Sequence, residues 1–491
     1  MKKFLRGSTQ QTRGFVQQGG LALALMGLAP AAFGQTFAPA ASYNAGNNAN
    51  PLSLAVADVN GDGKRDIITG NNGSSTVGVL LGTGTGTFQA VATTSTGSGS
   101  MPSDIAVADV NADGKPDVVT TNYGTNSVSV LLGTGTGTFA AAVAYSTGSG
   151  SQPNGLAVAD VNADGRPDII TANTSTSAVG VLLNSGSGTF AAVVPYPTGT
   201  ALPINVAVGD VNSDGRPDIV TSLNFNSGVG VLLGTGSGTF AAMTTIALTN
   251  KPNNLALADL NADGRLDIVT ASDNNSGYAT VQLSTGPGTF AAATSYNASS
   301  NSFTNSVTVA DVSGDGKPDL ITANPGNYTT GVFKNNGTGT FAAVQTFSAG
   351  SSGSMPYDVV AVDVSGDGKP DIITSNVGAN TVSVLLNTAT FLATKTAALP
   401  AEVQLYPNPA IAKANFSAKG LPSDVRRVEA TLLNQLGQVV GRTTATATQG
   451  NVQAELPTAG LTAGLYLVRL HAHDAQGTVV GTLATQHLQV Q

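Results

Sequence analysis

A nine-residue phrase recurs seven times along this chain and limits what it can become. The first copy is Asp58-Val59-Asn60-Gly61-Asp62-Gly63-Lys64-Arg65-Asp66. Later copies begin at Asp109, Asp160, Asp210, Asp259, Asp311 and Asp363, at intervals of 51, 51, 50, 49, 52 and 52 residues. A period that even denotes one supersecondary unit repeated, each copy burying its apolar face only against its neighbours.

Within one unit the pattern is that of strands. Leu52–Val59 alternates and carries small or branched apolar residues, so it reads as strand a. The acidic phrase follows, and Asp66-Ile67-Ile68-Thr69 opens strand b. A polar turn at Asn71–Ser75 leads to strand c, Thr76–Leu81, then to the glycine turn Gly82–Gly86. Thr87–Ala92 is expected as strand d. Four strands per fifty residues, seven times over, predict an all-β fold: a seven-bladed β-propeller followed by a small Ig-like β-sandwich. A Thr-Phe pair marks strand d and recurs at the repeat spacing eight times, ending at Phe37 and Phe391 among others, one more than seven blades need. Thr36–Tyr43 is therefore expected to supply strand d of the last blade, pairing with Thr381–Leu386. A self-contained last blade using Thr390–Thr394 is the alternative.

The phrase has the chemistry of a calcium loop. Calcium takes six to eight hard oxygen ligands, and alternate residues of a tight loop can direct them inward. The expected ligands of the first copy are Asp58, Asn60, Asp62, the backbone carbonyl of Lys64, and Asp66. Their equivalents are Asp109, Asn111, Asp113, Lys115 and Asp117, then Asp160, Asn162, Asp164, Arg166 and Asp168. The fourth and fifth copies offer Asp210, Asn212, Asp214, Arg216 and Asp218, and Asp259, Asn261, Asp263, Arg265 and Asp267. The last two carry serine at position 3: Asp311, Ser313, Asp315, Lys317 and Asp319, and Asp363, Ser365, Asp367, Lys369 and Asp371. An EF-hand needs Glu at position 12, where every copy has Thr, and strand sequence follows at once, so position 9 is expected to close the site. Seven loops imply up to seven Ca²⁺, one per blade. They hold 21 of the 29 acidic residues, so the formal charge of −8 is read as metal sites and not as a surface for basic partners. No Lys/Arg run suggests nucleic-acid binding.

The phrase, matched in all seven copies, resembles the FG-GAP/VCBS repeat family, whose members include the propellers of integrin α subunits. The resemblance covers Thr36 to about Thr396 and implies a propeller with calcium in its loops. The family's Phe-Gly and Gly-Ala-Pro signature is replaced by Gly-Thr-Phe.

Both ends differ from the array. Residues 1–34 read as a signal peptide: Lys2, Lys3, Arg6 and Arg13 precede a short apolar stretch, and Ala32-Phe33-Gly34 places cleavage before Gln35. The propeller is expected over 35–396, a linker over 397–402 and a separate domain over 403–491. That tail, with Glu402 at the end of the linker, holds all three Glu and all three His, with His471 and His473 expected on an exposed strand face. Its motifs Leu405-Tyr406-Pro407-Asn408-Pro409-Ala410, Leu436-Gly437-Gln438-Val439 and Gly464-Leu465-Tyr466-Leu467-Val468 resemble the C-terminal sorting domain of type IX secretion substrates in Bacteroidetes. The resemblance implies passage through the type IX machinery, after Sec export, to the medium or the outer-membrane surface. No transmembrane segment is expected, and the chain reads as a monomer.

Function is narrowed mainly by subtraction. Before residue 400 there is no His, Cys, Glu or Trp, and no nucleophile–base–orienter set is visible, so the chain reads as a non-enzyme. Asp104 and Asp358 lie outside the phrase, where a linker turn accounts for them. The face opposite the acidic loops varies most between repeats. Its candidates are Asn122, Tyr123, Asn224-Phe225-Asn226, Asp273-Asn274-Asn275, Tyr278 and Tyr328, suited to an extracellular glycan or protein ligand. The expectation is an adhesion or glycan/protein-binding module. The alternative is a polysaccharide-active enzyme, a lyase or hydrolase, on the same scaffold.

Overall fold

The computed structural model describes residues 36–225, 228–272, 277–298, 303–389 and, with short gaps, 402–490. The signal-peptide and cleavage readings, residues 390–401, Asn226 and Asp273–Asn275 lie outside the described residues. Among the described residues there is no α-helix, only strands and two short 3-10 turns. None of them forms a helix long and apolar enough to cross a membrane.

Seven four-stranded antiparallel sheets follow one another along residues 41–385. In blade 1 the strands are a (Pro51–Ala57), b (Asp66–Asn71), c (Thr76–Leu80) and d (Ala92–Ser95). Strands b and c are buried on both faces, which explains their near-continuous apolar and threonine content. Each strand a lies against strand a of the next blade. That contact runs through all seven blades and returns from Pro356–Val362 to Pro51–Ala57, so the ring is closed. The core is a set of separate apolar clusters, mostly between adjacent blades. One joins Leu54, Ile67 and Leu80 of blade 1 to Val364, Ile373 and Val384 of blade 7.

Closure follows the expected route. Ala41–Asn44 is strand d of blade 7, with Ala41 opposite Val384 and Asn44 opposite Thr381. Phe37 bridges to Asn387, and its ring packs edge-on against Phe347 of blade 6 at 4.9 Å. An otherwise open sheet edge is thereby paired.

Strand d itself differs from expectation. Thr87–Phe88 is not its start; Phe88 makes a single bridge to Gly82, and strand d begins at Ala92. The phenylalanine serves the blade interface. Tyr43, Tyr145, Tyr196 and Tyr296, each on a strand d, pack edge-on against Phe88, Phe190, Phe240 and Phe341 of the next blade, in that order, at 5.3–5.4 Å. The Thr-Phe mark is thus an inter-blade wedge that precedes the strand.

The tail forms a three-stranded sheet (Glu402–Tyr406, Ala414–Lys419, Asn451–Leu456) and a four-stranded one (Val439–Thr446, Arg427–Leu433, Gly464–His473, Val479–Val490). Both contribute to one apolar core, with Phe416 and Leu456 from the first sheet and Val428, Leu432 and Val468 from the second. Glu402, expected in the linker, begins the first strand. His473 is buried with Nε2 4.0 Å from a Glu429 oxygen, so the strand face expected to be exposed is largely covered at that residue.

Candidate functional site

The two rims of the ring differ in chemistry. Acidic loops and c–d turns share one rim, because each acidic loop bonds a c–d turn directly. The b–c turns and d–a links share the other, as the bonds from Gly73 N to Ala49 O (3.0 Å) and Gly124 N to Ser100 O (2.9 Å) show.

On the first rim every loop is built alike. The position-1 carboxylate accepts the N–H of the position-6 glycine, as Asp58 does from Gly63 at 2.8 Å and Asp363 from Gly368 at 2.7 Å. Position 3 accepts from position 5 where it is asparagine, as at Asn60 and Asp62 (3.0 Å). Position 5 accepts from the N–H of position 7, at 3.0 Å for Asp62 and Lys64. Its other oxygen pairs with the position-7 side chain: Lys64 Nζ at 3.4 Å, Arg166 at 2.6 Å, Arg216 and Arg265 at 2.5 Å. These short Asx bonds curl the chain, and glycine at position 6 takes the positive φ (80° at Gly63) that the curl demands.

Position 9 is different. Asp66, Asp117, Asp168, Asp218, Asp267, Asp319 and Asp371 are all fully buried. In Asp66 one oxygen accepts from Val59 N (3.0 Å) and the other from Gly82 N (2.7 Å). The same clamp recurs at Asp371, which accepts from Val364 and Asn387. Burial pushes these carboxyls up, to about 6 at Asp319, against the opposing pull of their two N–H donors. At Asp62 and Asp113 the position-7 N–H holds the carboxyl below its usual range. Among the described residues no three carboxylates or imidazoles converge as a ready metal cage. The donor set itself fits calcium. Each loop offers carboxylate, amide or hydroxyl and carbonyl oxygens at alternate positions, and each oxygen that accepts one N–H keeps a further lone pair.

On the opposite rim the seven strands a surround an axial cavity of about 310 Å³. Its wall is polar: Asp104, Asp358, Ser103 and Ser306 line it with a group of asparagines. Strand a is the inner edge of each blade, so its N–H groups toward the axis lack a strand partner, and side chains of the neighbouring blade supply one. Asp104 accepts from Leu156 N at 2.8 Å, Asp358 from Leu54 N at 3.0 Å and Asn254 from Val307 N at 3.2 Å. Asn224 donates to Asn253 (2.6 Å), Asn253 to Asn305 (3.2 Å) and Asn305 to Tyr357 O (2.9 Å), a relay of amides across blades 4 to 7. Both aspartates touch the cavity yet are otherwise walled in by protein. Burial and then the charge of Asp358 push Asp104 up to about 7, and burial also raises Asp358.

Six overlapping stretches, 58–120, 109–171, 161–221, 220–270, 259–322 and 311–374, match the profile described as FG-GAP-like repeat. Most of these stretches run from one acidic loop to the next, which is how six matches encompass seven loops. The chain belongs to the FG-GAP-like repeat family. Its FG-GAP array is followed at 404–480 by a match to the secretion system C-terminal sorting domain, which marks the protein for type IX secretion to the cell exterior.

No curated protein matches this FG-GAP chain. Among solved structures, an Agrocybe aegerita lectin described by its recognition of non-reducing terminal N-acetylglucosamine is 23% identical, with a TM-score of 0.45 over 69% of this chain and 85% of the lectin. A Pseudomonas aeruginosa periplasmic gluconolactonase is 20% identical, with a TM-score of 0.47 over 62% and 87%. The extracellular domain of a putative hybrid two-component system from B. thetaiotaomicron is 10% identical, with a TM-score of 0.46 over 93% of this chain and 60% of that domain.

Of the residues expected on the ligand face of the FG-GAP ring, Asn224 lines the axial cavity. Asn122 is buried and donates to Ser127 and Ser129 at 3.0 and 2.8 Å, so it holds its own turn. Tyr123 donates to Gln152 at 3.1 Å, Tyr278 opens a strand c, and Tyr328 closes the Pro325–Asn327 turn in a left-handed conformation. Phe225 is 67% exposed. Asp104 and Asp358 do not sit in a linker turn: each is the third residue of a strand a and faces the axis. Their common spacing, two residues after the proline that opens the strand, was the available signal.

Proposed function

We propose that this chain is a secreted, calcium-loaded FG-GAP propeller that binds a polar extracellular ligand, a glycan or a protein segment, on the rim opposite its acidic loops. The observation that carries this reading is the axial cavity walled by amide, hydroxyl and carboxylate groups. Such a wall satisfies hydroxyls and amides and matches a polar ligand better than a lipid-like one. Calcium in the loops would stiffen the far rim. Asp58, Asn60, Asp62, the Lys64 carbonyl and Asp66, with their equivalents, would hold it, and it would offset the mutual repulsion of three carboxylates in each loop. Adhesion follows if the sorting domain leaves the chain attached at the surface; a soluble binder follows if it is released.

The test is a glycan array in calcium beside an assay for new reducing ends and unsaturated products. Binding without turnover supports the module. Turnover would establish the second reading, a polysaccharide-active enzyme, which is favoured by Asp104, a cavity carboxyl that burial and then the charge of Asp358 push up to about 7. Calcium has a separate readout. A ligand at a hundredfold excess over its Kd stabilises by about 2.7 kcal/mol per site. A chelator should therefore lower Tm markedly, and an unchanged Tm would count against filled loops.

A further inference from the structure

The axial cavity is unevenly charged. Its carboxylates, Asp104 and Asp358, stand on blades 2 and 7, on either side of blade 1. Its amides, including Asn154, Asn205, Asn254 and Asn305, stand on blades 3 to 6. No lysine or arginine lines the cavity, and among the described residues neither aspartate forms an ion pair. Both carboxylates are held in place by the protein. Asp104 accepts from Ile105 N and Leu156 N, each at 2.8 Å. Asp358 accepts from Leu54 N (3.0 Å), Val359 N (2.8 Å) and Ser306 Oγ (2.7 Å). A carboxylate offers about four lone-pair sites, so neither is saturated. Burial and then the charge of Asp358 push the Asp104 carboxyl up, and a cation placed between the two would oppose both effects.

We propose that this cavity selects a small polyol bearing a primary amine, an amino sugar in its ammonium form, and discriminates against uronic acids. The ammonium lies toward the carboxylates of blades 2 and 7 and gives them the missing cation. The ring hydroxyls lie toward the amides of blades 3 to 6. A uronate would bring a further carboxylate into a pocket that holds two and has no cation to receive it. A cavity of about 310 Å³ stands at the small end of ligand pockets, with room for a sugar residue and not for a long chain. The proposal rests on the reading of this rim as the ligand face.

The full chain in constant, saturating calcium is titrated with glucosamine, glucose and glucuronate, and with a deacetylated glucosamine oligosaccharide to separate free sugar from polymer ends. Glucosamine or its oligosaccharide should bind at least ten times more tightly than glucose, and glucuronate should not bind. Asp104→Asn with Asp358→Asn should remove the preference while glucose binding persists. Asp358→Asn alone serves if the double variant does not fold, and should lower the preference severalfold. Equal binding of glucose and glucosamine, tighter binding of glucuronate, or a preference that survives the substitutions would overturn the proposal. If other glycans on the array still bind, the ligand-face reading stands without it; if nothing on the array binds, this proposal and the glycan form of that reading both fall.

Discussion

Two sorts of aspartate dominate this protein, and position decides what each does. The position-9 residues are buried clamps whose two oxygens join the start of an acidic loop to the c–d turn. Asp104 is a clamp of another kind, tying blade 2 to blade 3 through Leu156 N. Its folded pKa of about 7 lies above the ordinary carboxylate value, so the folded chain holds a proton the unfolded chain has lost. The stability linked to that proton is complete below about pH 4 and disappears as pH rises toward 7. Asp104→Asn removes the charge and keeps one oxygen for Leu156 N, giving up, as the protonated acid largely does, the second carboxylate acceptor that faces Ile105 N. A tenfold difference in proton affinity between the folded and unfolded chain is worth ~1.4 kcal/mol, and the displacement of Asp104 to about 7 spans roughly three such steps, so the variant should be more stable than the parent at pH 8 by up to about 4 kcal/mol. The two should converge near pH 4, as denaturant titrations at both pH values would reveal. The acidic phrase was legible because its residues recur at fixed spacing and its chemistry is local. Asp104 was not, since only the ring brings the third residue of one strand a to the next.

At the scale of strands and turns, one acceptor is served throughout the ring. The carbonyl at loop position 2 always receives a hydrogen bond from the following blade. Gly86, Gly137, Gly238 and Gly288 give it a backbone N–H, to Val364, Val59, Val161 and Val211 at 3.0–3.2 Å. At the other three interfaces the donor is a side chain: Asn184 Nδ2 to Val110, Asn335 to Leu260 and Asn387 to Val312, each at 2.8 Å. Asn184 also donates to Pro167 O at 2.9 Å and is 2% exposed. Asn184→Ala should cost about 1–3 kcal/mol by leaving buried acceptors unpaired, measured by chemical denaturation; a change within error would mean water replaces the bridge. The same turn explains the misplaced strand d. Alternating Thr and Phe after a glycine run looks like strand sequence, but Gln89 N bonds Leu81 O and Phe88 turns to the interface, so regular pairing waits until Ala92. Alternation records which side chains are buried, not which backbone groups pair.

For the molecule as a whole, blade number and closure were readable from the count of phrases and the surplus Thr-Phe. The axial cavity was not readable, because each of the seven blades brings only one or two residues from the start of its strand a to it. Removing residues 36–44 takes away strand d of blade 7 and the Phe37 wedge. The remaining chain should form oligomers or aggregate through the bared Thr381–Leu385 edge, seen as a shift in size-exclusion elution. A monomer of unchanged Tm would show that closure contributes little. The pairing of Ala41–Asn44 with Thr381–Leu385 also sets an order in time. A chain is made from its first residue onward, so the earliest strand of the ring must wait for nearly all the others to be synthesised before it meets its partner. The ring is consequently a test of completeness: a product cut short before blade 7 retains unpaired edges at both ends, open to proteases and to self-association, and only the finished array closes.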